Sequence, residues 1–360
     1  MSRDLRFLIL VEGQFGPLTS KTANSCIRYT PERVAAVIDS RRAGKTSQQI
    51  LGFGGDIPVV DSVAAGLARR PAPNALLIGV APMGGRLPQE WRAMVLAAID
   101  AGLEIWSGLH TFIGDDPEFA ARAEAKGVAI HDLRKPPKDL PVAGGRVRGA
   151  GATVVLTVGT DCNIGKMTAA LQVRDALKAA GRKVRFVGTG QTGILIEGWG
   201  TAVDAVIADF IAGAAERLVL EAAPGADIVL VEGQGSIIHP GYSGVTMGLM
   251  HGSLPDAMVM CHQPSRKHIG NNTWVPIPPL PGFIALHEAI LAPLRKSPVI
   301  AVSLNTYDLS LRAAKTAIAR IAKQTGLPTT DPVRFDPGPV AEAIDRFHRK
   351  RAKQRIAKKQ

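Results

Sequence analysis

Aromatic residues make up only 5% of this 360-residue chain, and cysteine occurs three times. So few rings, beside 38 glycines, suit short βα loops around aliphatic parallel strands better than a β-sandwich. The thiols Cys26, Cys162 and Cys261 are odd in number and widely spaced, with no CxxC among them. That excludes a disulfide framework and fits a reducing cytoplasm. No apolar run is long enough to cross a bilayer, and the opening MSRDLRFLILVEGQFG passes from charge directly into a strand-like segment. Neither a membrane span nor a signal peptide is expected. Internal repeats are absent, and the only biased segment is the C-terminal tail.

The length and a hydrophobic content of 46% allow two domains with sizeable cores. The net charge of +12 invites a nucleic-acid reading, but eight Lys/Arg and no acid lie between Arg346 and Gln360. Such a run reads as a solvated, frayed helix end, which argues against a nucleic-acid partner.

Apolar runs alternate with amphipathic stretches throughout, the pattern of an α/β protein. Strands are expected over 5–11, 75–80, 103–107, 153–158, 184–187, 227–231, 257–260 and 299–304. Helices are expected over 88–101 and 166–180. Thr30 with Pro31 reads as the start of another, ending before Gly44. The stretch KPPKDLPVAGGRVRGAG, from 135 to 151, is rich in Pro, Gly and charge and has no apolar period. It sets the expected division: an N-terminal domain over 1–140, a linker over 141–151, a second domain over 152–345 and a basic tail over 346–360.

The sharpest motif is GTDCNIGKMT, from Gly159 to Thr168, between a β-branched strand and a helix. Backbone N–H groups of such a turn, with the helix N-terminus, hold phosphate oxygens. Five residues rather than four separate Gly159 from Gly165, and Met167 stands where Ser or Thr would ligate Mg²⁺. Thr168 cannot take its place, because one step along a helix turns a side chain by about 100°. A thioether is a poor ligand for a hard cation. The loop is therefore suited to gripping a diphosphate, as in coenzyme A, rather than to metal-assisted phosphoryl transfer. Gly159, Thr160, Asp161, Asn163, Gly165, Lys166, Met167 and Thr168 are the candidate cofactor-binding residues.

GTDCNIGKMT, then GTGQTG (188–193), then VEGQGS (231–236), resemble the three phosphate-site segments of dethiobiotin synthetase and its P-loop relatives. With GVAPMGGRLP (79–88) and SGLH (107–110) included, nearly the whole chain resembles a two-domain family of which one branch is D-glutamate N-acetyltransferase. The resemblance implies a Rossmann-like N-terminal domain followed by a P-loop NTPase-like domain. It also implies transfer of acetyl from acetyl-CoA to the amine of an acidic amino acid, a small-molecule substrate, in D-amino acid catabolism. A homo-oligomer is the expected assembly.

Such chemistry must deprotonate an ammonium whose pKa is about 8 or above, hold an oxyanion and recognise carboxylates. Glu232, at a strand end, and His239, on the loop after it, are the candidate bases. Arg266 and Lys267, in CHQPSRKHIG (261–270), are candidates for the substrate carboxylates or the cofactor's phosphates, and Arg86 and His110, after N-terminal strands, for one wall of the substrate site. His262 and His268 lack a third ligand at metal spacing, so no metal site is expected. Cys162 reads as a small side chain in a tight turn, with an acetylated thiol as the alternative. Polar density in TSKTANSCIRY (19–29), with Lys21, Asn24 and Arg28, is what a capped turn explains. The competing functions are an ATP-dependent ligase or kinase of the dethiobiotin synthetase type and a non-catalytic nucleotide sensor with the tail as its contact.

Overall fold

The computed structural model describes residues 4–80 and 84–357. Two compact units divide the chain: one takes 1–136 together with 194–205, the other 137–193 and 206–360. Ala81, Pro82 and Met83 of the GVAPMGGRLP motif, and the last three residues of the basic run, lie outside the described residues.

The first unit is built on a parallel six-stranded sheet in the order β3-β2-β1-β4-β5-β6. Its strands are β1 (Phe7–Leu10), β2 (Val34–Ile38), β3 (Val59–Val60), β4 (Ala75–Ile78), β5 (Glu104–Ser107) and β6 (Ile130–Asp132). Helices α1 (Lys21–Tyr29), α2 (Ser47–Leu51), α3 (Val63–Leu67), α4 (Arg92–Asp100) and α5 (Pro117–Lys126) connect them. This is the Rossmann strand order. β1 and β4 are buried at every position, as aliphatic strands covered on both faces must be. Asp116 caps α5 by accepting from Glu118 N and Phe119 N, and Gly127 closes it in the left-handed region.

The stretch after Thr30 corrects the helix expected there. Pro31 opens a single 3₁₀ turn, after which VAAVI forms β2. The local start signal is real, but four of those five residues are buried in the sheet, and that burial outweighs it. The helix of this region lies earlier, as α1, within the segment taken for a capped turn.

The second unit holds a parallel sheet in the order β14-β13-β10-β7-β9-β8. The strands are β7 (Thr153–Gly159), β8 (Val184–Val187), β9 (Ile228–Val231), β10 (Ala257–His262), β13 (Val299–Leu304) and β14 (Thr329–Thr330), with a separate hairpin of β11 (His268–Ile269) and β12 (Asn272–Pro276). Its helices are α6 (Lys166–Ala179), α7 (Gln191–Glu197), α8 (Ala208–Ala222), α9 (Ser243–Ser253), α10 (Leu280–Leu291), α11 (Leu311–Thr325) and α12 (Gly338–Ala357). α7 straddles the division, since 194–205 counts with the first unit. Leu195 joins that unit's core, and Asp204 pairs with Arg134.

Residues 137–151 are docked on the second unit. Buried Glu216 of α8 accepts from Gly144 N (2.8 Å) and Arg146 N. A side-chain carbon at Gly213 would collide with Pro141 O, so only glycine lets the segment lie this close.

Residues 346–357 of the basic tail are likewise not a frayed end. They are the outer half of the twenty-residue α12. Arg351 reaches Asp256 at 2.7 Å and Ala152 O at 3.1 Å, His348 Nδ1 meets Thr153 Oγ1 at 2.9 Å, and Arg355 binds the carbonyls of Ala150 and Gly151. Asp256 also takes Arg295 at 2.9 Å. The charge run is a set of struts onto the start of β7 and β10.

Candidate active site

Neighbouring strands β10, β7 and β9 end in a row, and their C-terminal loops build the site, where open parallel sheets place ligands. β7 stops at Gly159. The chain turns through Asn163 (φ 53°) and Gly165 (φ 100°) into α6, which leaves the first amides of that helix directed at the loop.

Lys166 is buried, and its ammonium donates to Asp161 O (2.7 Å) and Gly235 O (2.8 Å). Gly233 presses against the same lysine, since a side-chain carbon there would overlap Thr157 O and come within 3.1 Å of Lys166 Cδ. Met167 is buried and Thr168 half-buried.

The loop is clamped from the strand beside it. Asp161, 1% exposed, accepts from Cys162 N (2.6 Å) at one oxygen, and from Arg266 Nη1 (2.7 Å) and Gly270 N (2.8 Å) at the other. The same Arg266 nitrogen donates to Cys162 O at 2.8 Å. Arg266, expected as a substrate contact, gives this nitrogen to the loop. Lys267 next to it is exposed, and its ammonium lies 3.4 Å from Pro264 O. Thr160 Oγ1 meets His262 Nδ1 at 3.0 Å. Burial, with Lys267, Arg320 and Arg266 nearby, pushes His262 down to about 4, so the imidazole is neutral.

Glu232 has a structural occupation. Its Oε2 accepts from Thr189 N (3.0 Å) and Gly190 N (3.2 Å), and its carbonyl accepts from Thr189 Oγ1 (2.7 Å). This ties GTGQTG to the end of β9. His239 is buried, stacks on Tyr242 at 4.5 Å, and accepts from Gly241 N at Nδ1 (3.1 Å). A neutral imidazole held this way carries its hydrogen on Nε2 and acts as a donor there.

Two buried groups in this unit went unnoticed in the sequence. Among the described residues, Ser236 Oγ and His287 Nε2 have no hydrogen-bond partner. His287 Nδ1 lies 2.9 Å from Phe283 O, and burial, with a lesser effect of Lys166, lowers the ring to about 4. Sequence also gives no sign that Cys162 Sγ, a His239 ring nitrogen and an Asp161 oxygen lie within 4.8 Å of one another. Cys26 and Cys261, by contrast, are pushed up by burial to about 11 and about 12.

Arg86 and His110 belong to the first unit, and both are exposed. His110 N donates to Gly85 O at 3.0 Å, and a side-chain carbon at Gly85 would overlap the His110 ring, so the two loops meet. The remaining candidates lie in the second unit.

Comparison with known proteins agrees with this architecture. Residues 141–341 match the DUF1611 C-terminal P-loop domain, and 40–136 match the DUF1611 N-terminal Rossmann-like domain, both described as of unknown function. A protein of Tritonibacter scottomollicae named D-glutamate N-acetyltransferase is 40% identical over 284 residues, 77% of this chain and 83% of that protein. One of the same name from a Pseudoalteromonas species is 37% identical, over 72% and 78%. The crystal structure of a DUF1611 protein from Anabaena variabilis superposes with a TM-score of 0.90 at 40% identity, covering 95% of this chain and 99% of that one.

Proposed function

Since the chain belongs to the DUF1611 family, we propose that it moves acetyl from acetyl-CoA to the amine of an acidic amino acid, D-glutamate, in D-amino acid catabolism. The observation that carries this reading beyond the relatives' names is the phosphate loop itself. It presents a buried lysine and the opening amides of α6, yet buries a thioether at the position of the Mg²⁺-binding hydroxyl.

The Ser236 Oγ in the second unit, which has no hydrogen-bond partner among the described residues, and the buried Lys166 ammonium fit a phosphate group. Lys166 and the amides from 165 onward would hold the diphosphate. Asp161 and Arg266 keep the loop in shape for it. Lys267 is the candidate for a substrate carboxylate in the second unit, and Arg86 and His110 are separate candidates in the first.

His239 is assigned as a donor, not a base. Accepting a proton at Nε2 would require Gly241 N–H to leave Nδ1, whereas donating Nε2–H to a thioester oxygen requires nothing to move. Glu232 positions the 188–193 segment. The amine then enters as its free base, and turnover rises with pH toward about 8 and above. A pH–rate profile with its inflection near 6.5 instead would restore a histidine base.

No described helix is long and apolar enough to cross a membrane. We place the protein in the cytoplasm as a homo-oligomer acting on small molecules. The test of function is calorimetry with acetyl-CoA and with Mg-ATP, followed by release of free thiol on adding D- or L-glutamate. Binding of acetyl-CoA and thiol release with D-glutamate are expected. Binding of Mg-ATP with no response to acetyl-CoA would establish the ligase or kinase reading in its place.

A further inference from the structure

Cys162, His239 and Asp161 come from the ends of two adjacent strands, β7 and β9, and their side-chain donor atoms fall within 4.8 Å of one another. Three such residues invite a metal. The carboxylate speaks against one, because its two oxygens already take three donors, and the Arg266 guanidinium balances its charge. A cation would have to strip those bonds and sit beside that guanidinium. Sulfur and imidazole remain, a nucleophile with a hydrogen-bond donor for an oxyanion at hand.

The surroundings of the sulfur agree. Cys162 is half-buried, in a loop whose following residues open α6, and Arg266 is fastened to its carbonyl. The ammonium of Lys166 is fastened to the carbonyl of the preceding residue. Cations and a helix N-terminus are the setting in which cysteines react as thiolates. Cys26 and Cys261 are fully buried.

On the acetyl-transfer reading, we propose that Cys162 carries the acetyl group between donor and amine. In the first half-reaction the Cys162 thiolate attacks the thioester carbonyl, and an S–C bond forms. His239 Nε2–H supports the oxyanion, the bond from carbonyl carbon to the donor's sulfur breaks, and the departing thiolate takes a proton from water. In the second, the free-base amine attacks the acetyl-cysteine, the C–S bond breaks, Cys162 leaves as thiolate, and the surplus proton on nitrogen passes to water. One thioester is exchanged for another and then for an amide, with no oxidant and no metal.

The experiment mixes the full-length protein with acetyl-CoA alone, quenches it in acid and weighs it intact. One acetyl group is expected on the peptide containing Cys162, removable by hydroxylamine, with a burst of one equivalent of free CoA. Initial velocities should give parallel lines when both substrates are varied. Cys162→Ala and Cys162→Ser should bind acetyl-CoA as the parent does, while turnover falls by about a thousandfold or more. Intersecting lines and no adduct, in a parent that does turn over, would overturn the carrier role and leave direct transfer standing, as would Cys162→Ala working within about threefold of the parent. A parent that neither binds acetyl-CoA nor releases thiol would remove both readings together.

Discussion

Arg266 holds two oxygens of the phosphate loop with one nitrogen: the buried carboxylate of Asp161 and the carbonyl of Cys162. Replacing it by lysine keeps the charge but loses the reach and the fixed direction of the guanidinium hydrogens. Arg266→Ala leaves Asp161 with two backbone donors and an uncompensated charge at 2% side-chain exposure. Urea unfolding should show a loss of about 2–4 kcal/mol for Arg266→Ala, with lysine recovering only part of it. Calorimetric affinity for acetyl-CoA should fall at least tenfold in both variants if the clamp shapes the phosphate site. At this scale the sequence was legible where one short segment carries the chemistry: a strand, GTDCNIGKMT and a helix start suffice. It was not legible where two segments share a job. Glu232 reads as a candidate base at a strand end, and nothing in the sequence shows that Thr189 N and Gly190 N donate to its carboxylate. Cys162 and His239 meet only because β9 lies beside β7 in the sheet.

Among the elements, α12 shows how charge composition alone misleads. A run of arginine and lysine reads as solvated, yet Arg351 is partly buried against Asp256, and that burial lowers its pKa. Removing the residues after Asp345 takes away the contacts to Asp256, Thr153 and the carbonyls of 150–152. The melting temperature should fall by several degrees, where a frayed end would leave it unchanged. Arg351→Ala alone should cost about 1–3 kcal/mol, because Asp256 keeps Arg295. β2 carries the opposite lesson. Thr30 and Pro31 are sound start signals, but they govern one turn, and the β-branched, buried stretch after them is decided by its neighbours β1 and β3. Strands with long aliphatic runs, such as β7 and β13, were readable because burial on both faces leaves little polar pattern to confuse. The two-residue strands β3 and β14 carry too few residues to show any period.

For the molecule as a whole, acid is a defined threat. His262 and His287 are each lowered by burial from 6.5 to about 4, so the unfolded chain binds more protons than the folded one between those values. Stability contributed by these neutral rings is complete above pH 6.5 and is lost as pH falls through that window toward 4. Thermal melts from pH 7 to 4 should show this decline, and His287→Gln should flatten it. The succession of βα units was evident from apolar runs and turn residues, which set the expected boundary at 140 with a linker over 141–151. The return of 194–205 to the first unit was not, because nothing in that segment marks which core its apolar residues join. That return sets an order of events during synthesis. A ribosome that has finished residue 136 has not finished the first unit, whose core still lacks Leu195 and whose Arg134 still lacks Asp204. β7, the phosphate loop and β8 must all emerge before it can close. The N-terminal half made alone, as residues 1–136, should be soluble only with difficulty, and supplying 194–205 as a separate peptide should raise its melting temperature.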